Sequence, residues 1–151
     1  KVEKGVRQGC IMSPLLFNIF MSDLPKMFDG KYNVNLNENK KISCIIWADD
    51  ILMLSETETG MKNMLEVLNV YCIKNGLKIN SEKTKCMIFN KSGRLLRQKF
   101  QIGSENLETV RSYKYLGLVF TPSGEIKSAL EDLRSRAFKA YMSLKYILGN
   151  S

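Results

Sequence analysis

The sequence predicts an α+β domain with a mostly antiparallel sheet and helices packed on one of its faces. Three observations carry that reading. Apolar residues recur at helical spacing in three stretches, short β-patterned runs lie between them, and turn-forming pairs such as Asn75-Gly76 and Pro122-Ser123-Gly124 separate the two kinds.

Ser13-Pro14 reads as an N-cap followed by a first-turn proline, and Leu16, Phe17, Phe20, Met21 and Leu24 then recur on one face until Pro25. Leu15 and Ile19 fill a second stripe, so this helix is expected to be buried on most sides. Residues 29–41, rich in Asn and Lys and without periodicity, are expected to be an exposed loop. Two strands follow at about 42–48 and 51–54, close enough in sequence for an antiparallel hairpin. Ser55-Glu56-Thr57-Glu58 has capping-box spacing, and Met61, Met64, Leu65, Leu68, Tyr71 and Cys72 mark the inner face of a helix that stops at Asn75-Gly76. Beyond it we expect a strand at 84–90, a basic loop at 93–98, a short strand at 100–102, a stronger strand at 113–121, and a last helix from Ser128. That helix sets Leu130, Leu133, Ala137, Ala140, Tyr141 and Leu144 against Arg134, Arg136, Lys139 and Lys145.

The 151 residues suffice for one core, and 23 basic against 15 acidic residues, a net charge of +8, favour a polyanionic partner, most simply nucleic acid. Cys10, Cys44, Cys72 and Cys86 lie far apart and histidine is absent, which argues against zinc and against a disulfide framework. The expected setting is reducing and intracellular; the sequence does not decide between the nucleus and a cytoplasmic ribonucleoprotein. No apolar run approaches the length of a membrane span, so no membrane partner is expected. The start Lys-Val-Glu-Lys has neither the pattern of a signal peptide nor an initiator methionine, as expected of a piece of something longer.

Chemistry is concentrated at Trp47-Ala48-Asp49-Asp50. Two adjacent carboxylates interrupt an apolar run, and burying them unpaired is costly, so they belong in a tight turn that faces water or a cation. Oxygen donors on a rigid hairpin suit magnesium. Alternation along a strand keeps the two from pointing the same way unless the turn rotates one, so one acid is the main ligand and the other supports it. Upstream, Gly5-Val6-Arg7-Gln8-Gly9 brackets an arginine and a glutamine with glycines just before a helix, where they can meet phosphate, sugar or base edges.

Four blocks, in order and spanning nearly the whole chain, resemble the palm of reverse transcriptases of non-LTR (LINE-type) retrotransposons. They are Gly5-Val6-Arg7-Gln8-Gly9-Cys10-Ile11-Met12-Ser13-Pro14, Trp47-Ala48-Asp49-Asp50, the stretch from Gly76-Leu77 through Asn80 and Lys83 to Thr84, and Tyr115-Leu116-Gly117. The resemblance implies a polymerase palm over residues 1–121 and, over 122–151, a turn and the start of a helical thumb. It implies an RNA-directed DNA polymerase that, in the intact protein, adds deoxynucleotides to a DNA primer on an RNA template with two Mg²⁺ ions. Asp49 is then a metal ligand with Asp50 beside it, and Lys83 a catalytic cation near the leaving pyrophosphate. Arg7, Gln8 and Gly9 line the template and nucleotide pocket, while Leu116 and Gly117 position the primer.

Other readings stay open at this point. Arg7 can pair with a surface acid, Lys83 can be a solvated lysine, and Tyr113 and Tyr115 can be core aromatics. Trp47 stands where the family usually has tyrosine or phenylalanine. The family's further metal-binding aspartate lies on a strand before the Gln-Gly block, with the fingers, so this fragment alone is expected to be inactive and to need the remainder of the polymerase chain. The alternatives are a degenerate or co-opted nucleic-acid-binding remnant, or a group II intron maturase-like enzyme.

Overall fold

The structure, a computed structural model, describes residue 5 and residues 9–28, 32–38 and 40–148. The chain divides into two compact units: one holds the residues up to Ile79 together with Gln101–Gly103, the other Asn80–Phe100 and the residues from Ser104 onward.

In the first unit helix α1 (Ser13–Phe20) begins one residue earlier than the sequence pattern indicates. Met12 occupies the cap position with helical backbone angles, no side chain caps the helix, and Ser13 is instead its first residue and buried. Pro14 fits the first turn because its missing N–H has no helical partner there. The same logic corrects the expected end: Pro25 does not stop the chain's helical course but sits in the first turn of a second short helix, α2 (Leu24–Phe28). The expected burial of α1 on most sides is not realised, since Leu15, Leu16, Ile19 and Phe20 are all exposed. The core forms one step further along the chain, from Met21, Leu24 and Phe28, the last two with no exposed surface.

These residues share the first unit's core with helix α3 (Glu58–Lys74), whose buried side chains Met64, Leu65, Leu68, Tyr71 and Cys72 are those the periodicity selects. Its cap is Thr57, whose Oγ1 accepts from the Gly60 amide at 3.0 Å; Ser55, the residue the capping-box spacing points to, hydrogen-bonds Thr57 instead. At the other end Leu77 N donates to Cys72 O (2.8 Å) and Gly76 N to Ile73 O (3.2 Å), with Gly76 at φ +66°, which is a Schellman closure. Tyr71 is 3% exposed, and its hydroxyl donates to Asp23 Oδ1 at 2.7 Å, with the Phe20 carbonyl a longer acceptor at 3.2 Å. Burial first, and the Asp23 carboxylate second, push the Tyr71 phenol up to about 12.

The polar stretch expected as a loop contains a hairpin, β1 (Val34–Asn37) with β2 (Lys40–Ile42), paired Val34 with Ile42 and irregular at Asn35 to Asn37. Asn35 is tied to Glu56 by its backbone N–H and its side-chain amide, both at 3.3 Å. Ser43, 4% exposed, then breaks the chain before the next pair, β3 (Cys44–Trp47) and β4 (Asp50–Met53).

In the second unit the strand expected over 84–90 shortens to β5 (Lys85–Cys86), which pairs in parallel with β7 (Glu105–Thr109). Between them in sequence lies β6 (Phe100–Ile102), whose Gln101 and Ile102 belong to the first unit, followed by a turn at Gly103-Ser104. The long strand expected at 113–121 is a hairpin, β8 (Tyr113–Tyr115) and β9 (Leu118–Phe120), against which the 22-residue helix α4 (Lys127–Leu148) packs. Burial pushes the Cys72 thiol up, and that of Cys86 up to about 11. The fold is therefore the expected mixture of helices and largely antiparallel strands, with one correction. The strands of two to five residues do not merge into one sheet; they form separate small ladders, broken at Ser43 and at the intervening turns. No described helix is long and apolar enough to cross a membrane.

Candidate functional site

Strands β3 and β4 pair in register, Cys44 with Met53, Ile45 with Leu52, Ile46 with Ile51 and Trp47 with Asp50, leaving Ala48 and Asp49 as a two-residue turn. Paired residues share a face, so Ile45, Trp47, Asp50 and Leu52 lie on one side and Cys44, Ile46, Ile51 and Met53 on the other. The second face is half-buried; the first presents Trp47, 65% exposed, beside an exposed Asp50. Asp49, also exposed, sits at the tip. The turn thus separates the two acids as strand alternation requires, one on the loop and one opening β4.

Such a turn needs a positive φ at its first residue, the place where glycine is usual, and here Ala48 adopts φ +52°. An L-residue in that region is strained by about 1–2 kcal/mol. Strain of this kind persists where surrounding structure over-determines it, and it clusters at functional turns. The hairpin of β8 and β9 repeats the pattern: Tyr115 pairs with Leu118, and the turn residues Leu116 and Gly117 sit at φ +46° and +84°. Among the described non-glycine residues only Ala48 and Leu116 have positive φ, and each lies in a turn to which the family resemblance assigns a role.

The remaining residues fall as follows. Gly9 is exposed at φ +80°, while Arg7 and Gln8 lie outside the described residues. Lys83 is exposed on the second unit, with its backbone held at both ends: its N–H donates to Asn80 Oδ1 at 3.1 Å and its carbonyl accepts from the Tyr113 hydroxyl at 3.3 Å. Tyr113 is therefore an exposed bridging residue and not a core aromatic. Lys85, the neighbour that could be mistaken for Lys83, is engaged with Glu108 at 2.8 Å.

Sequence reasoning missed the support of the Leu116-Gly117 turn. A terminal nitrogen of Arg136, on α4, donates to the Gly117 carbonyl at 2.5 Å. Asp132 Oδ2 lies 2.9 Å from Arg136 Nε and 3.5 Å from Lys114 Nζ, at ion-pairing distance but without hydrogen-bond alignment. The i, i+4 spacing of Asp132 and Arg136 was the available signal.

As metal donors, Asp49 and Asp50 are of the hard oxygen kind that magnesium selects, and both are accessible. Among the described residues no cluster of three His, Cys, Asp or Glu side chains is assembled, so the two carboxylates supply only part of a coordination sphere.

Comparison with known proteins identifies the family. The family model described as reverse transcriptase (RNA-dependent DNA polymerase) matches residues 1–120, and the chain belongs to that family. Its relatives are proteins of non-LTR retrotransposons. It is 27% identical over 140 residues to the Pol polyprotein of a type-1 R2 element of Popillia japonica, a match covering 87% of this chain and 23% of that protein. It is 28% identical over 134 residues to the type-2 R2DM polyprotein of Drosophila melanogaster, covering 82% and 12%. With the RNA-directed DNA polymerase from mobile element jockey of Drosophila funebris it shares 27% over 128 residues, covering 81% and 13%. The chain thus spans between about an eighth and a quarter of the length of these relatives.

Proposed function

We propose that residues 1–121 are part of the palm of an RNA-directed DNA polymerase and that 122–151 begin its thumb, the whole enzyme extending a DNA primer with deoxynucleotides on an RNA template. The observation that carries this reading is the two-residue turn at Ala48-Asp49, strained and solvent-facing, which sets Asp49 and Asp50 at the end of a short hairpin.

In this reading Asp49 and Asp50 hold Mg²⁺, which when bound neutralises charge on the reacting phosphates. The chain's own residues position the reactants. Gly9, lacking a Cβ, admits close approach of nucleotide or template beside Arg7 and Gln8. Lys83, whose backbone is held by Asn80 and Tyr113, is the cation assigned to the charge that develops on the leaving pyrophosphate. The Leu116-Gly117 turn, tied to α4 by Arg136, supports the primer end. Trp47, beside Asp50 on the open face, bounds the nucleotide pocket with a larger ring than the family's usual tyrosine or phenylalanine. Among the described residues no third ligand group joins the two carboxylates, and a pair alone binds metal weakly, so the 151-residue chain alone is expected not to extend a primer.

The test is primer extension with Mg²⁺ by a full-length polymerase carrying this segment. Asp49→Ala is expected to reduce kcat by about a hundred- to a thousandfold, in line with loss of a major electrostatic contributor, and Trp47→Tyr to retain turnover. Full activity in Asp49→Ala would remove the assigned role. An inactive full-length protein that still binds RNA would favour the co-opted remnant.

A further inference from the structure

The segment between β5 and β6 carries Lys91, Arg94, Arg97 and Lys99 within nine residues, and no acid. Its turn is organised by a single side chain. Asn90 Oδ1 accepts from the Arg94 backbone N–H (3.2 Å) and from the Ser92 hydroxyl (2.6 Å), while Nδ2 donates to the Arg94 carbonyl (2.8 Å) and more loosely to that of Ile88 (3.3 Å). The Asn90 backbone is anchored in turn, its N–H on the Pro122 carbonyl (2.8 Å) and its C=O on the Gly93 N–H (3.0 Å). Gly93 takes φ +61°, and a Cβ there would stand 3.2 Å from the Ser123 Cβ, so the turn closes tightly only with glycine. Cations displayed on a turn fixed in this way lose little freedom when they meet an anion.

Beside the turn, Leu95, Arg97, Gln98, Glu108 and Thr109 line an open groove of about 350 Å³. Its acid, Glu108, is already paired with Lys85. Thr109 Oγ1 donates to the Gln98 carbonyl at 3.0 Å, which fixes the Gln98 backbone. Among the described residues the guanidinium groups of Arg94 and Arg97 and the side-chain amide of Gln98 have no ion pair or hydrogen bond. One free guanidinium, that of Arg97, an unengaged amide and one leucine therefore line a hollow about the size of a single nucleotide, and Arg94 stands on the adjoining turn.

We propose that this loop and groove form a second nucleic-acid contact, separate from the Asp49-Asp50 turn, that takes the phosphodiester backbone of a single strand. Arg94 and Arg97 meet phosphates, Gln98 meets a base or sugar edge, and Leu95 provides the apolar wall. A glutamate or aspartate side chain of an acidic protein would fill only a fraction of the groove and leave the amide unused. The contact is one of binding and does not depend on polymerisation.

The experiment is fluorescence anisotropy of the 151-residue chain with labelled 20-mers of oligouridylate and oligodeoxythymidylate between 50 and 200 mM salt. Removing two phosphate contacts to a single strand lowers the salt exponent by about 1.4, so Arg94→Ala/Arg97→Ala should make the loss of affinity over this range about sevenfold smaller. Gln98→Ala should weaken binding severalfold with the exponent unchanged. Lys62→Ala/Lys74→Ala, which removes the same charge from α3, should leave the exponent as it is. Equal effects on both oligomers assign the contact to phosphate, and a larger effect on the ribose strand assigns it to RNA. The proposal is overturned if the arginine pair and the α3 pair behave alike, or if micromolar polyglutamate displaces the oligomers.

Discussion

The side chain of Arg136 donates to the main-chain carbonyl of Gly117 at 2.5 Å, so that the middle of α4 holds the turn of the β8–β9 hairpin directly. The guanidinium is 44% exposed and its pairing with Asp132 is open to solvent, so the energy involved is modest. Arg136→Ala is expected to lower stability by about 0.5–1 kcal/mol in urea titration. Its clearer mark is local: amide exchange at Leu116 and Gly117 should accelerate, while exchange within α3 should not change.

Ala48 offers a test of opposite sign. Glycine tolerates φ +52° without a steric penalty, and relief of about 1–2 kcal/mol of strain outweighs the additional chain entropy lost on folding. Ala48→Gly should therefore raise the urea midpoint, by the equivalent of about 0.5–1 kcal/mol at unchanged m-value. Ala48→Val should lower it, because a β-branched residue is worse there than alanine. If the proposed polymerase role of Asp49 holds, the glycine variant in a full-length protein should turn over more slowly, since the turn that carries Asp49 is freer.

Tyr71 predicts a pH dependence. Its phenol ionises near 10 when the chain is unfolded and about 12 in the fold. A group whose folded value is raised stabilises fully below the unfolded value and loses that contribution as pH climbs toward the folded one. Stability should therefore fall between about pH 10 and 12. Tyr71→Phe keeps the ring but removes the hydroxyl from Asp23, lowering stability by about 1 kcal/mol at neutral pH and flattening that alkaline decline. An unaltered decline in the variant would show that another group is responsible.

Phe28 and Leu24 have no exposed surface. Phe28→Ala should cost about 3–5 kcal/mol and Leu15→Ala, at an exposed site on α1, less than about 0.5 kcal/mol. Comparable losses at both positions would contradict the placement of the core after α1.

The inner face of α3 was legible because a 17-residue amphipathic helix repeats its pattern often enough to fix its phase. The Asp49-Asp50 turn was legible because charge stands out against Ile45, Ile46, Ile51 and Leu52. Other features were not, for physical reasons. β1 does alternate, Val34 and Leu36 against Asn35 and Asn37, but over only four residues, and the Lys40-Lys41 pair of β2 offers no matching pattern, so the hairpin did not stand out from its Asn-rich and Lys-rich surroundings. In 113–121, Leu116-Gly117 contains no turn pair of the usual kind, and leucine at φ +46° is a conformation that composition does not announce. The exposure of α1 ran against its sequence because an apolar helix can be read as buried before anything shows what lies on it. Asn90, which organises the basic loop, looks like the last residue of a strand until its four side-chain hydrogen bonds are seen.

The route of the chain between the two units has a consequence for synthesis. It leaves the first unit after Ile79, comes back for Gln101–Gly103, and departs again. The first unit is therefore unfinished until residue 103 has emerged from the ribosome, by which time more than twenty residues of the second are already made. Neither half can be excised with one cut, and a truncation after Ile79 would leave a nascent chain waiting for a strand that never arrives.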